Sequence, residues 1–234
     1  MTLWSRIADA LRREIAEGAR PEGAKLPTEA ELTARFGVNR HTIRRALAAL
    51  TDEGLVRSRR GSGSFVAAAP TEYPMGARVR FRQSMEAAGR VPGKRVLTRE
   101  TRRATAEEAA TLHLAAGDVV HVTDGLAMVD DRPVALFHSI FPAARLPDLP
   151  AALDRLGSVT QALAACGVAD YLRAATRITA VAATPVEAGH LHLQTGAPLI
   201  LTDALNVDAA TGDPVEWGLA RFAGERIALT LDHP

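Results

Sequence analysis

The sequence has little of several features that mark other protein classes. Cys166 is the single cysteine among 234 residues, so no disulfide framework can form within the chain, and this composition fits a reducing cytosol. No apolar run reaches the roughly 18 residues that a membrane-spanning helix needs, and no signal peptide is recognisable. We also find no internal repeat, no Ser-His-Asp constellation and no metal-ligand cluster. We therefore expect a cytoplasmic protein with no membrane association, no cofactor, no metal and no enzymatic activity.

The near-neutral composition hides an uneven distribution of charge. The net charge is +1, but residues 1–68 carry 12 basic and 8 acidic residues, a net +4, against −3 for the remainder. A basic segment joined to an acidic one is typical of a protein that contacts DNA through one domain only. We predict a DNA-binding domain at residues 1–68, a linker at 69–76 and a second domain at 77–234.

Residues 39–50 form the most informative stretch of the chain. An apolar stripe at helical spacing contains Ile43, Ala46, Leu47 and Leu50, which suits the core of a small domain. The opposite side carries Arg40, His41, Arg44 and Arg45. Guanidinium groups match the acceptors of guanine and of phosphate. An ordinary solvated helix face is the alternative interpretation, and the neighbouring segments decide against it.

The segments around this helix predict a winged helix-turn-helix. Thr28 and Glu31 have the spacing of a capping box, which begins a helix that ends at Gly37. Asn39 is placed to cap the next helix. Beyond it, 55–59 and 64–66 read as two short strands, and the Gly-rich tip at 60–63 lets the backbone approach DNA closely.

Residues 4–66 resemble the winged helix-turn-helix domain of GntR-type bacterial transcription regulators. The matching motifs are Lys25-Leu-Pro-Thr-Glu29, Phe36-Gly-Val-Asn-Arg-His-Thr-Ile-Arg44, Glu53-Gly-Leu-Val56 and Gly61-Ser-Gly-Ser-Phe-Val66. The resemblance implies a double-stranded DNA operator as partner. We expect the DNA contacts at Lys25, Thr28, Asn39, Arg40, His41, Thr42, Arg44, Arg60, Gly61 and Gly63.

The remainder of the chain predicts an α+β domain with an antiparallel sheet flanked by helices. Strands are expected at 94–101, 119–129, 133–141, 172–183, 199–207 and 215–222, and helices at 84–88, 105–114, 159–166 and 185–191. The last of these helices contains His190 and ends beside His192, whose spacing suits a metal only on a strand. We therefore expect no metal site there.

This second segment resembles the chorismate-lyase-like (UTRA) effector domain of the HutC-type branch of GntR regulators. The motifs are Leu112-x-Leu-x-x-Gly-Asp118, Asp131-Arg-Pro133, Gly212-Asp-Pro-Val-Glu216 and Gly224-Glu-Arg226. Regulators of phosphonate utilisation are the closer resemblance, through Tyr73-x-x-Gly-Ala-Arg-Val-Arg-Phe81 and Arg221-Phe-Ala-Gly-Glu-Arg226. The resemblance implies a homodimer, joined through the second domain, that reads a pseudo-palindromic operator.

The chain departs from the HutC pattern where an effector is expected. Gly125 and Ala127 stand where many relatives carry an Arg-x-Arg pair, and Phe222 stands where tyrosine is frequent. We therefore expect an anion pocket formed by Arg78, Arg80, His138, Ser139, Glu216 and Arg221, with Arg78 and Arg80 on one side of an extended strand. The alternatives are that Arg78 and Arg80 are solvated or touch DNA, and that Glu216 and Arg221 form a structural pair.

The sequence thus predicts a ligand-responsive transcriptional repressor that a small anion, such as a phosphonate or phosphate ester, releases from DNA. The alternative is a lyase-like enzyme with an appended DNA-binding head, because arginine and glutamate can line an active site as well as a sensing site. An architectural DNA-binder without an effector is a third interpretation, which the size of the second domain argues against.

Overall fold

The computed structural model describes residues 2–59, 63–67, 69–78 and 80–231. Its contacts divide the chain into two compact units, Met1–Ala69 and Pro70–Pro234. None of the helices in the described part of the chain combines the length and the apolarity that a membrane span requires.

The first unit contains three helices followed by a hairpin. These elements are α1 (Leu3–Ala16), α2 (Glu29–Phe36), α3 (Arg40–Asp52), β1 (Val56–Arg59) and β2 (Gly63–Val66), with β1 and β2 antiparallel. Its core contains Ile7, Leu11, Leu32, Ile43 and Leu50, each at most 2% exposed. The apolar stripe predicted for the third helix therefore faces this core.

The predicted helix signals act as expected in this unit. Thr28 and Glu31 form a complete capping box at the start of α2. Gly37 ends α2 in the left-handed conformation at φ 63°, which glycine adopts without steric cost. The side chain of Asn39 accepts a hydrogen bond from the Thr42 backbone N–H at 2.9 Å and so caps α3. The helix-turn-helix predicted from the sequence is confirmed.

The strands of the second unit are β3 (Thr71–Pro74), β4 (Pro92–Arg103), β5 (Val119–Val129), β6 (Arg132–Pro142), β7 (Tyr171–Ala182), β8 (Pro198–Asp208), β9 (Pro214–Ala223) and β10 (Ile227–Thr230). Strands β4 to β9 form its central antiparallel sheet, in the order β4-β5-β6-β9-β8-β7. The helices are α4 (Phe81–Ala87), α5 (Ala106–Thr111), α6 (Leu149–Leu156), α7 (Val159–Ala165) and α8 (Pro185–Leu191). The α+β class and the antiparallel sheet are as predicted.

The second unit contains an internal repeat, so the expectation of none is wrong. Each half runs strand, helix, strand, strand: β4-α5-β5-β6 and then β7-α8-β8-β9. The two helices begin with equivalent capping boxes, Thr105–Glu108 and Thr184–Glu187. The sequence pattern Ala-Thr-x-x-Glu-Ala-x-x-Leu-His-Leu-x-x-Gly occurs in both halves, at 104–117 and 183–196. Eight of its fourteen positions are identical in the two halves, so the repeat is visible in the sequence once the segments are aligned 79 residues apart.

The two faces of the sheet are covered by different elements. One face packs on α5 and α8 through two apolar clusters, centred on Leu112 with Val120 and on Leu191 with Leu126. The other face packs at one end on α6 and α7 and at the other end around Met85 of α4. The second face is left with a cavity between these two clusters.

The structure changes the expectations for the segment after the first unit. Thr71–Pro74 forms strand β3, paired in parallel with β10 (Ile227–Thr230), so part of the expected linker is ordered against the second unit. Its apolar anchor is Tyr73, which is 3% exposed. Arg78 lies in a turn and Arg80 is the N-cap of α4, so the prediction that an extended strand carries this pair is wrong. Neither β3 and β10 nor α6 was predicted.

Candidate functional site

The exposed surface of α3 presents the basic residues expected to contact DNA. Arg40, His41 and Arg44 are exposed, and Thr42 is half-buried in the first turn. Arg45, by contrast, stacks its guanidinium over the ring of Trp4 at 4.9 Å from the centroid. Arg45 is exposed as well, so the polar side of α3 presents hydrogen-bond donors from its start to Arg45.

An acidic side chain of α2 holds two of these arginines. Glu29 contacts the Arg44 Nε through both carboxylate oxygens at 2.9 and 3.0 Å, and the Arg40 Nε at 3.3 Å. Both arginine side chains remain 64% exposed, and the contacts with Glu29 engage their Nε atoms. Glu29 thereby orders two long side chains while their outer nitrogens stay available to an acceptor.

The remaining expected DNA contacts divide between capping roles and the hairpin. Thr28 and Asn39 are exposed and cap α2 and α3. Lys25 is exposed, and its backbone forms an isolated antiparallel β-bridge with Phe65 of the second hairpin strand. This strand begins at Gly63, which has a positive φ of 106°. Arg60 and Gly61 lie outside the described residues.

A cavity of about 220 Å³ lies in the second unit, and we call it the effector cavity. All six strands of the central sheet contribute to its wall, together with β3, α4 and the start of α7. Its apolar side contains Tyr73, Phe81 and Phe222, whose ring centroids lie 5.5 to 6.4 Å apart. A concave, partly aromatic cavity with several converging polar groups is typical of a small-molecule site.

The structure brings three of the six expected pocket residues to this cavity, namely Arg80, Ser139 and Glu216. Arg80 is held by the carboxylate of Asp170 at 3.1 Å and stacks on the Tyr171 ring at 3.6 Å. Ser139 and Glu216 are 6% and 8% exposed. Glu216 accepts a hydrogen bond from the Asn206 amide at 2.8 Å.

The other three expected residues lie elsewhere, and strand alternation explains two of them. His138 and Ser139 are neighbours on β6, so they face opposite sides of the sheet; His138 Nδ1 lies 2.7 Å from the Asp124 carboxylate. Arg221 pairs instead with Glu187 of α8 at 3.0 Å.

Arg78 is absent from the cavity lining as well. It is exposed and pairs with Asp170. The expectation that all six residues share one pocket is therefore wrong, and so is the alternative that Glu216 and Arg221 pair with each other.

Besides Arg82, which pairs with Glu86 at 3.3 Å, the sequence interpretation missed two cations of the cavity lining, Lys94 and Arg173. They occupy equivalent positions of the two repeat halves, because Lys94 pairs with Ala127 and Arg173 with Asn206, each 79 residues apart. Arg173 donates to the Tyr73 hydroxyl at 3.3 Å. The repeat, once recognised, is the signal that would have placed both cations at one site.

Lys94 is a cation of this cavity whose pKa departs from its ordinary value. Its side chain is exposed because it borders the open space of the cavity, yet nearby protein atoms partly desolvate its ammonium. This desolvation lowers the pKa of Lys94, while Glu216 raises it and Arg99 lowers it. The ammonium also lies 4.1 Å from the centroid of the Phe137 ring. A cation with incomplete compensation in a cavity suits an anionic ligand.

Comparison with known families follows the same division of the chain. Residues 87–228 match the UTRA domain, which is 142 residues of the chain, and residues 3–66 match the bacterial regulatory proteins of the gntR family. The chain belongs to the GntR family of transcriptional regulators and carries a UTRA domain. We call residues 3–66 the GntR head and residues 87–228 the UTRA domain.

Similar proteins are regulators over nearly their full length. The HTH-type transcriptional regulator RB1450 of Rhizobium meliloti is 37% identical, covering 99% of this chain and 95% of the relative. The probable transcriptional regulator PhnF of Escherichia coli is 31% identical with the same coverage. The HTH-type transcriptional repressor NagR of Bacillus subtilis is 28% identical, covering 85% and 82%. These names are those of regulators, so the alternative of a lyase-like enzyme is not favoured.

Solved structures share the fold. PhnF from Mycobacterium smegmatis has a TM-score of 0.66 at 22% identity, covering 100% of this chain and 99% of that one. YydK from Bacillus subtilis has a TM-score of 0.58 at 19% identity, with both chains fully covered. The expected HutC-type architecture and the resemblance to PhnF-type regulators are confirmed.

Proposed function

We propose that this GntR-family regulator is a cytoplasmic repressor that binds a pseudo-palindromic operator as a homodimer and releases it when a small anion occupies the effector cavity. A phosphonate or phosphate ester is the proposed class of anion. The convergence of Lys94, Arg80 and Arg173 on one cavity with a single lining carboxylate, Glu216, among the described residues carries this proposal. Glu216 is then available to a donor group of the ligand.

The proposed DNA interface is the start of α3 together with the hairpin. It includes Lys25, Thr28, Asn39, Arg40, His41, Thr42 and Arg44, with Gly63 and the undescribed Arg60 and Gly61 at the tip. An operator is obtained by selection from a random duplex library, and affinity is measured by fluorescence anisotropy. We expect Arg40→Ala/Arg44→Ala to weaken operator binding at least tenfold, because each base contact is worth roughly 1–3 kcal/mol. Unchanged affinity would refute this interface.

The proposed response to a ligand requires different affinities in two states, since a ligand that binds both equally shifts nothing. The test adds phosphonates, sugar phosphates and neutral sugars to the operator complex. Anions are expected to release the operator from wild type, and Lys94→Met should abolish the release without changing operator affinity in the absence of ligand. Release by neutral sugars alone would contradict the anion assignment.

A further inference from the structure

A second, smaller cavity lies beside the effector cavity. Its volume is about 80 Å³, against roughly 10–15 Å³ needed to hold one water molecule. We call it the inner cavity. Phe137 and Phe141 contribute to its apolar wall, and its polar members are Lys94, Arg99, Thr123 and Ser139. Lys94, Phe137 and Ser139 also border the effector cavity, so one ligand can occupy both.

A β-bulge brings the polar members of the inner cavity to one face of the sheet. Lys94 and Arg99 are five residues apart, which places them on opposite faces of a regular strand. The register of β4 shifts between Val96 and Thr98, and this extra residue returns Arg99 to the face of Lys94. Thr123 is then the cross-strand partner of both Arg99 and Ser139. Such partners have Cβ atoms about 5 Å apart.

Two buried donors among the polar members of the inner cavity have no acceptor within the described part of the chain. The Thr123 hydroxyl and the Arg99 Nε are both buried and unpartnered, and Thr123 is only 4% exposed. Arg99 uses its Nη1 to donate to the Pro150 carbonyl at 3.3 Å and to the carboxylate of Asp154. A buried donor without an acceptor lowers the stability of the folded protein. A ligand that accepts hydrogen bonds from these two donors removes that cost, so its binding is favoured.

The charges around the inner cavity favour an anion. Lys94 and Arg99 repel each other, and no carboxylate borders the inner cavity among the residues that the structure describes. The nearest acids are engaged at its margins, where Asp154 pairs with Arg99 and is itself 74% exposed, and Glu216 belongs to the effector cavity. An anion between the two cations relieves their repulsion in surroundings that weaken screening.

We propose that the inner cavity binds the tetrahedral oxyanion group of the effector, a phosphonate, phosphate or sulfate-like group. Thr123, Ser139, the Arg99 Nε and the Lys94 ammonium supply its donors. This assignment rests on the proposed function of the effector cavity. The sequence predicts the anion contact at Arg78 and Arg80. The structure instead favours these donors, which lie side by side on β4, β5 and β6.

The test is calorimetric titration of the full chain, without DNA, with methylphosphonate and with sulfate. Thr123→Val removes one hydroxyl while keeping the shape of the side chain. Thr98→Val is the matched control, because its hydroxyl lies on the opposite face and donates to Asp124 at 2.9 Å. We expect both anions to bind wild type and the control alike, with affinity about tenfold lower for Thr123→Val and lower still for Lys94→Met.

A second measurement identifies the contribution of Lys94. Sulfate does not titrate above neutral pH, so proton uptake on its binding comes from the protein. A bound dianion raises the pKa of Lys94, and we expect uptake at alkaline pH in wild type and none in Lys94→Met, from heats in buffers of different ionisation enthalpy. Glu216 and Arg99 act electrostatically on this ammonium, and the other charged or titratable residues that line the effector cavity are Arg80, Arg82, Arg173, Tyr73 and Tyr171.

The outcomes separate this subsite from the proposed function. Binding by Thr123→Val equal to that of the Thr98→Val control, with unchanged circular dichroism, would overturn the subsite, and so would wild type that binds neither anion. Binding that depends on Thr123 but leaves the operator complex intact supports the subsite and contradicts the effector role of the cavity. Operator release that is insensitive to Thr123→Val contradicts the subsite alone.

Discussion

At the scale of single residues, the ion pair of Glu108 anchors one repeat half of the UTRA domain. Arg102 donates to both carboxylate oxygens of Glu108 at 2.7 Å, and the Thr105 backbone N–H donates at 2.8 Å. The Arg102 hydrogen bonds, followed by those of Thr105, outweigh burial and lower the pKa of Glu108 to about 2. The pKa of the carboxyl is thus held below its ordinary value of 4.5, which makes its ionisation a source of stability.

We expect Glu108→Gln to destabilise the UTRA domain by about 2–3 kcal/mol at neutral pH. The contribution is fully present above pH 4.5 and is lost as the pH falls toward 2, because the folded-state pKa is the lower one. Urea unfolding followed by Trp217 fluorescence, in a Trp4→Phe background, measures the cost. Glu187→Gln, at the equivalent position of the other half, is the control; its Arg221 contact is half-exposed, so a smaller cost is expected. A Glu108→Gln cost that is the same at pH 7 and pH 3 would contradict this account.

At the scale of elements, we propose that the contact between α2 and α3 orients the arginines with which the GntR head meets DNA. Glu29 neutralises part of the charge of Arg40 and Arg44 and fixes their Nε edges. The capping box of α2 depends on Thr28 and Glu31 instead, so Glu29 is free of that structural role. The negative charge of Glu29 weakens the attraction of these arginines to phosphates at any DNA sequence. Its hydrogen bonds also orient the two guanidinium groups, which favours contacts with particular bases.

We therefore expect Glu29→Gln to raise affinity for random duplex DNA several-fold and to lower the ratio of operator to random-duplex affinity. Without the carboxylate, the two guanidinium groups neutralise phosphates more fully, so the plot of log K against log salt becomes steeper by up to about one unit. Anisotropy titrations over a range of salt concentrations measure both quantities. Glu17→Gln, which removes an exposed acid at the end of α1, is the matched control. Identical behaviour of the two variants would rule out an orienting role for Glu29.

Elements with local signals could be predicted from the sequence, and those defined by distant partners could not. The capping residues Thr28, Asn39 and Thr105 predict the starts of their helices because the signal lies within one turn. Strand β3 pairs with β10 more than 150 residues away, which no local pattern reveals. The face of each pocket residue depends on register and on bulges, so Ser139 and His138 could not both face one cavity. The bulge before Thr98 likewise changes the face on which Arg99 lies, so the sequence pattern did not place Arg99 beside Lys94.

At the scale of the whole molecule, one winged head reads only a few base pairs, so tight and selective binding needs two. We propose a homodimer formed through the UTRA domain, in line with the family relationship. Linking two heads makes the second contact intramolecular and raises overall affinity by roughly 10²–10⁴. The GntR head has its own apolar core, which suits independent folding.

We expect residues 1–69 alone to fold and to bind the operator at least 100-fold more weakly than the full chain. Circular dichroism checks the fold, and anisotropy checks the affinity. Sedimentation of the full chain on operator DNA should show two protomers per duplex. Equal affinities of fragment and full chain, or one protomer per duplex, would contradict the dimer.

The most direct test of ligand-responsive regulation is the affinity of the effector for the protein with and without operator DNA. The effector is the anion that releases the operator most strongly in the panel above. Because coupling between two binding sites is reciprocal, saturation with operator must weaken effector binding by the same factor by which the effector weakens operator binding. We predict a factor of about 5–150, the usual range of such coupling. Equal effector affinity for the free and the operator-bound protein would contradict the account.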